Sequence, residues 1–152
     1  MLEEGVPAGE LVLRVHLHSG CLVDEPAWDA LQVGASTWAR FGGRALKLNH
    51  AGGALANTRL DVHLDDGLLR RVDVVTSMPI EAGTALSFNY NTTEWSMAEP
   101  FHCWETDADV QGFAHEPAEE QRRLLDGGLA APHIRALWER QEEEEDSRMS
   151  KA

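Results

Sequence analysis

Two alternating apolar runs meeting at an Asp-Gly constrain this chain more than any other feature. Arg59-Leu60-Asp61-Val62-His63-Leu64 and Leu69-Arg70-Arg71-Val72-Asp73-Val74-Val75 flank Asp65-Asp66-Gly67. Apolar side chains at every second position put one face of each run in a core. Asp-Gly supplies the positive backbone angles of a tight hairpin turn. Leu11, Leu13, Val15 and Leu17 repeat the same period just after a Pro7-Ala8-Gly9 turn, which predicts a third strand. The phrase Val6-Pro7-Ala8-Gly9-Glu10-Leu11-Val12-Leu13 is echoed by Pro79-Ile80-Glu81-Ala82-Gly83-Thr84-Ala85-Leu86-Ser87-Phe88. Both are turns feeding apolar strands, and shared turn chemistry explains the likeness without duplication.

Elsewhere the pattern changes. Between residues 24 and 45, Trp28, Leu31, Val33, Trp38 and Phe41 are irregularly spaced around Gly34, Gly42 and Gly43, which predicts loops with one short strand. After Phe113 the signals become helical. Pro117 suits a first turn, Leu124 and Leu125 form an apolar patch, and Gly127 stops the helix. Pro132 opens a second helix. There Ile134, Leu137, Trp138 and Gln141 share a face that can dock on the core or on a partner. Glu142 to Glu145 and the ending DSRMSKA are too polar to bury, so residues 142–152 are expected to be a disordered acidic tail. The expected class is mainly β with C-terminal helices, built from small antiparallel sheets. Its domain occupies residues 1–116, with a helical extension over 117–141.

Charge narrows the function classes. The formal net charge of −13 in 152 residues, from 26 acids against 13 Lys and Arg, gives phosphate-backbone binding almost no support, so no nucleic acid is expected as a partner. A basic peptide, an amine or another small molecule fits better, although the acidity also serves solubility. Cys21 and Cys103 make no disulfide framework. The first fifteen residues lack the basic and apolar regions of a signal peptide, and no apolar run approaches the roughly 20 residues of a membrane span. These features predict a cytoplasmic protein without a membrane partner.

Two segments concentrate chemistry-bearing side chains: Leu46-Lys47-Leu48-Asn49-His50-Ala51-Gly52-Gly53 and Ala82-Gly83-Thr84-Ala85-Leu86-Ser87-Phe88-Asn89-Tyr90-Asn91. Asn49 and His50 lie between an apolar segment and small residues, a setting for donors turned to a polar ligand. Tyr90, the only tyrosine, ends an apolar strand between two asparagines. The residues alone leave open whether His50 and Tyr90 are site residues or satisfied core residues.

In order and spacing, NHAGGALANTRL and AGTALSFNYN resemble two motifs of SET-domain proteins, the fold of protein-lysine methyltransferases: Asn-His-Ser-Cys-x-Pro-Asn and Gly-Glu-Glu-Leu-x-Phe-Asp-Tyr. The Pro and Gly turns, the stretch Thr92 to Cys103 and Gln111-Gly112-Phe113 are similar to the same family, so that residues 5–117 are covered. The resemblance implies a SET-like fold of the β-clip type, ending in a degenerate post-SET segment. It also implies an S-adenosylmethionine-dependent N-methyltransferase acting on a lysine or another amine. Asn49 and His50 would then hold the cofactor, and Phe88, Phe101 and Trp104 would wall an adenine or a substrate channel. Tyr90, with His50, would serve catalysis.

The chain also departs from that pattern. Only five residues precede Val6, so the family's Gly-x-Gly element is expected to be missing, leaving a sheet edge that a homodimer can cover. Ala51-Gly52 replaces Ser-Cys, Asn57 stands in for the last asparagine of the first motif, and Asn89 replaces the Asp before Tyr90. Cys103 stands alone where the post-SET segment holds zinc through several cysteines, and His102, Asp107 and His115 are too scattered to replace them, so no metal is expected. These losses motivate two further readings. One is a SET-like protein reused for a cyclisation or rearrangement of a small molecule, with Tyr90, His50 and Asn49 as acid, base or donors. The other is a non-catalytic binding module.

Overall fold

The computed structural model describes residues 2–41, 48–65 and 68–151. The Asp66-Gly67 turn and residues 42–47, with Gly42, Gly43, Leu46 and Lys47, lie outside them. The architecture is mainly β, in small sheets, with two helices at the C-terminal end.

The alternating runs form the main sheet. Strands β1 (Leu11–His16), β6 (Thr58–Asp65) and β7 (Leu68–Thr76) pair antiparallel in the order β1-β7-β6. Register explains the alternation. Leu13, Val74 and Leu60 form one cross-strand row, and Val15, Val72 and Val62 form another. Four of these six, Leu60, Val62, Val72 and Val74, are at most 7% exposed. The row between them is Arg14, Asp73 and Asp61 on the opposite face. There Arg14 binds Asp73 through two nitrogens at 2.8 and 3.0 Å, which holds the Asp73 carboxyl below its ordinary range. Leu11 departs from the expected pattern. A bulge between Leu11 and Leu13 leaves Leu11 46% exposed and sends Val12 against the core instead.

The described part of the 24–45 region, up to Phe41, differs from the expectation. Three antiparallel strands in the order β2-β4-β3, namely β2 (Leu22–Val23), β3 (Ala30–Gly34) and β4 (Thr37–Arg40), stand largely where loops with one strand were expected. The alternation is missing because Leu31, Gln32 and Val33 are all buried, so β3 is covered on both faces and no period of two survives. The strand expected after Gly83 is also short, only Ser87–Phe88 (β8), which pairs in parallel with Asn49–His50 (β5). A last hairpin joins β9 (Phe101–Cys103) and β10 (Ala108–Val110).

Helix α1 (Ala118–Asp126) starts after Pro117 and ends at Gly127, as the breakers dictate. Helix α2 (Pro132–Ser150) has its proline in the first turn. Leu124, Leu125 and Ile134 are at most 3% exposed and belong to the same core as both three-stranded sheets, with Trp138 packed against it. Ile134 and Trp138 of the expected docking face therefore meet the core, whereas Gln141 is exposed. Where residues 142–152 were expected to be disordered, α2 instead continues to Ser150 as an exposed helix. Glutamates and Gln141 are good helix formers without needing burial, and Gln141 bonds Glu145 one turn on at 3.0 Å. Among the described residues no helix is long and apolar enough to cross a membrane.

Candidate functional site

The parallel contact of β5 with β8 brings the two chemistry-bearing segments together. Asn49 pairs with Ser87 and His50 with Phe88, and the Ala51 amide donates to the Phe88 carbonyl at 3.0 Å. Asn57 locks this junction from below. Its amide nitrogen donates to Ala85 O at 2.9 Å, and its side-chain oxygen accepts from the Ser87 amide at 2.9 Å. Thr58 adds a hydroxyl bond to Ser87 O at 2.8 Å. Asn57 is 8% exposed, so its polar groups serve the junction rather than solvent.

Beyond β8 the chain turns through Tyr90–Thr92, capped by Asn89, whose side chain accepts from the Asn91 amide at 3.0 Å. The turn aims Tyr90 at three rings. Phe88, His50 and Phe101 lie 4.8, 5.1 and 5.9 Å from it, centroid to centroid. The Tyr90 hydroxyl donates to the Leu48 carbonyl at 2.6 Å. Burial raises its pKa, and the charge of Glu94 raises it further, so the phenol is a neutral donor at physiological pH.

His50 stands behind this ring rather than in front of it. Its Nδ1 accepts the Tyr90 backbone N–H at 3.1 Å, which places the proton on Nε2. Burial pushes the imidazole down to about 4. Neutral at pH 7 and bonded through its basic nitrogen, His50 holds Tyr90 in position and is poorly placed to act as a base.

In front of Tyr90 lies a cavity of about 510 Å³, within the roughly 300–1,000 Å³ usual for small-molecule sites. Val15, Leu60, Val72 and Val74 of the main sheet form one wall, and Ala30 and Leu31 of β3 contribute another. Phe88, Tyr90 and Phe101 line it, and Trp28, 79% exposed, stands among the lining residues. Its ionisable groups are Tyr90 and three carboxyls, Asp29, Glu94 and Glu99, among the described residues. Asp29 is paired with Arg40 at 3.3 Å.

Glu94 is the site residue that the sequence reading missed. Its Oε1 accepts the Gln32 amide at 2.8 Å, while Gln32 Oε1 accepts the Trp95 amide at 2.8 Å. This reciprocal clamp ties the segment to β3. Desolvation outweighs those bonds and pushes the Glu94 carboxyl up to about 7. An acid in a loop, next to Trp95 and following two threonines, carries no periodic signal. Its partner Gln32 lies 62 residues away, in the region read as mostly loops.

The residues expected to hold a cofactor do not converge. Phe88 and Phe101 line the cavity and His50 touches both Tyr90 and Phe101, but Asn49 is exposed and outside the lining. Trp104 is 86% exposed and sits edge-on to His102, 4.7 Å between rings. Asn49 and Trp104 therefore do not share the cavity with Phe88 and Phe101. His102 is bonded by Asp109 and Asp107, whereas His115 bonds Ser96. Among the described residues no group of three or more His, Cys, Asp and Glu is placed to hold a metal ion. The chain matches no protein-family model, and no curated protein is significantly similar to it in sequence.

Proposed function

We propose that the chain is a small enzyme of SET-like, β-clip build that rearranges or cyclises a small, mostly apolar molecule by proton transfer, with Glu94 and Tyr90 as the polar pair. One observation carries the reading: a carboxyl pushed up to about 7 and a neutral phenol line the same apolar cavity. A carboxyl poised near neutrality takes a proton from one substrate atom and returns it to another, so no net proton or electron is consumed. Tyr90, held through Leu48 and His50 with its hydroxyl proton committed to the Leu48 carbonyl, offers the oxygen's free lone pair as an acceptor to an N–H or O–H of the substrate. The carboxyls favour a substrate carrying an amine over one carrying an acid. The SET-like part of the proposal leans on the parallel contact between the two motif-bearing strands.

The same contact supports a second reading, methyl transfer from S-adenosylmethionine to an amine or a lysine of a basic peptide. A thermal-shift panel separates the two. The rearrangement reading expects stabilisation by small apolar amines, lost when Ala98→Trp fills the cavity, and no shift with saturating S-adenosylmethionine or S-adenosylhomocysteine. A cofactor shift together with methylation of a basic peptide would replace it with methyl transfer. Stabilisation by neither class would leave a binding module.

A further inference from the structure

The segment that carries Glu94 pairs with no strand among the described residues, yet its carbonyls are bonded in succession by the C-terminal part of the chain. Thr92 O accepts from the Ala131 amide at 2.8 Å, Glu94 O from Phe113 at 2.8 Å and Trp95 O from Ala114 at 3.0 Å. Asn91 joins them, accepting from the Gly112 amide at 3.1 Å and donating to Glu116 at 2.7 Å. The Thr93 carbonyl is different, because its donor is a side chain, His133 Nε2 at 2.7 Å.

His133 is 7% exposed, and its Nδ1 is buried with no hydrogen-bond partner among the described residues. A carbonyl only accepts, so Nε2 carries a proton, and burial, which holds the ring's pKa below the ordinary value, favours the form whose Nδ1 is bare. An apolar ring would pack there without an unpaired nitrogen. The bond to Thr93 is the asset that an apolar ring would lack. That carbonyl belongs to the peptide whose N–H, on Glu94, donates to Tyr90 O at 2.9 Å. One peptide plane is thus held at both ends, and Glu94 hangs from it.

We propose that His133 is a positioning residue for the cavity: its Nε2–H fixes the Thr93–Glu94 peptide, and so holds the Glu94 carboxyl in the desolvated wall. The inference rests on the reading that Glu94 handles the proton.

Glutamine and asparagine separate the two ring nitrogens. Gln at 133 places its amide nitrogen near Nε2 and keeps the bond, whereas Asn reaches only to the place of Nδ1. In the full chain with ¹³C-labelled glutamate, the Glu94 signal is identified by its loss in Glu94→Gln and followed across pH, with thermal unfolding as the check on folding. His133→Gln is expected to keep the wild-type midpoint, and folded His133→Asn to lower it by about one unit or more as water reaches the carboxyl. Exchange of the Glu94 amide is expected to quicken in the asparagine variant alone. If His133→Asn does not fold, His133→Phe takes its place, with the ring shape kept and the donor removed. A folded donor-free variant with wild-type midpoint and wild-type exchange would overturn the inference, as would a glutamine variant as perturbed as the asparagine one. An ordinary Glu94 midpoint in the wild type would instead defeat the proton-transfer reading, and amide exchange would still decide the role of His133.

Discussion

Two segments meet at Tyr90, and the fold treats them differently. The Asn49–His50 strand touches the site from behind: Asn49 is exposed, and His50 uses its basic nitrogen on backbone. The Tyr90–Trp95 segment faces the cavity with a phenol and a carboxyl, and its carbonyls are held from 112–133 while the Glu94 carboxyl is held from β3. The difference teaches that polar residues at a junction divide by what their atoms already bond. A group consumed by scaffold bonds positions its neighbours, and one left desolvated with spare valence is available for chemistry.

The largest effect is expected where the second segment is gripped from behind. Gly112 has φ of 113°, and a Cβ there would lie 2.5 Å from Trp95 O. Gly112→Ala should cost about 3 kcal/mol or more in urea unfolding and slacken the Glu94 segment. A tolerated alanine would break the claim that the segment is rigidly held.

Glu94→Gln comes next, with a sign that depends on pH. The folded carboxyl binds its proton up to about 7, whereas an unfolded glutamate releases it near 4.5. Between those values the native state holds more protons, so Glu94 makes stability fall as pH rises through the window. Glutamine keeps the acceptor for Gln32 without that fall. The variant should be more stable than wild type by about 1–3 kcal/mol at pH 8 and nearly unchanged at pH 4. Thermal unfolding at the two values checks it. His50 has the opposite sign, because its folded pKa of about 4 lies below the unfolded 6.5. Stability that it contributes above 6.5 is lost as pH falls towards 4, and His50→Gln should flatten that loss.

Tyr90→Phe removes the bond to Leu48 while keeping the ring among its neighbours, for about 1 kcal/mol. It should abolish turnover of any substrate found by the thermal-shift panel while sparing its binding. The smallest effect belongs to Asn49→Ala, within about 0.5 kcal/mol and without influence on cavity binding. A large loss of binding there would erase the distinction between the two segments.

The sequence made the main hairpin, β1 and both helix starts readable, because each depends on local periodicity or on a breaker such as Pro117, Gly127 or Pro132. It hid β3, whose burial on both faces removes alternation, and with β3 it hid the partner of Glu94. Tyr90 and His50 were legible as neighbours of one junction, but the nitrogen His50 commits was not. Trp104 shows the converse: an aromatic near a motif in sequence can point into solvent, since a hairpin turn between β9 and β10 carries it away.

The most direct measurement of the central claim is the titration of the Glu94 carboxyl in the unmodified chain by ¹³C NMR. A midpoint of about 7, moved by ligands that enter the cavity, is expected. A midpoint near the ordinary glutamate value of about 4.3, indifferent to such ligands, would contradict it.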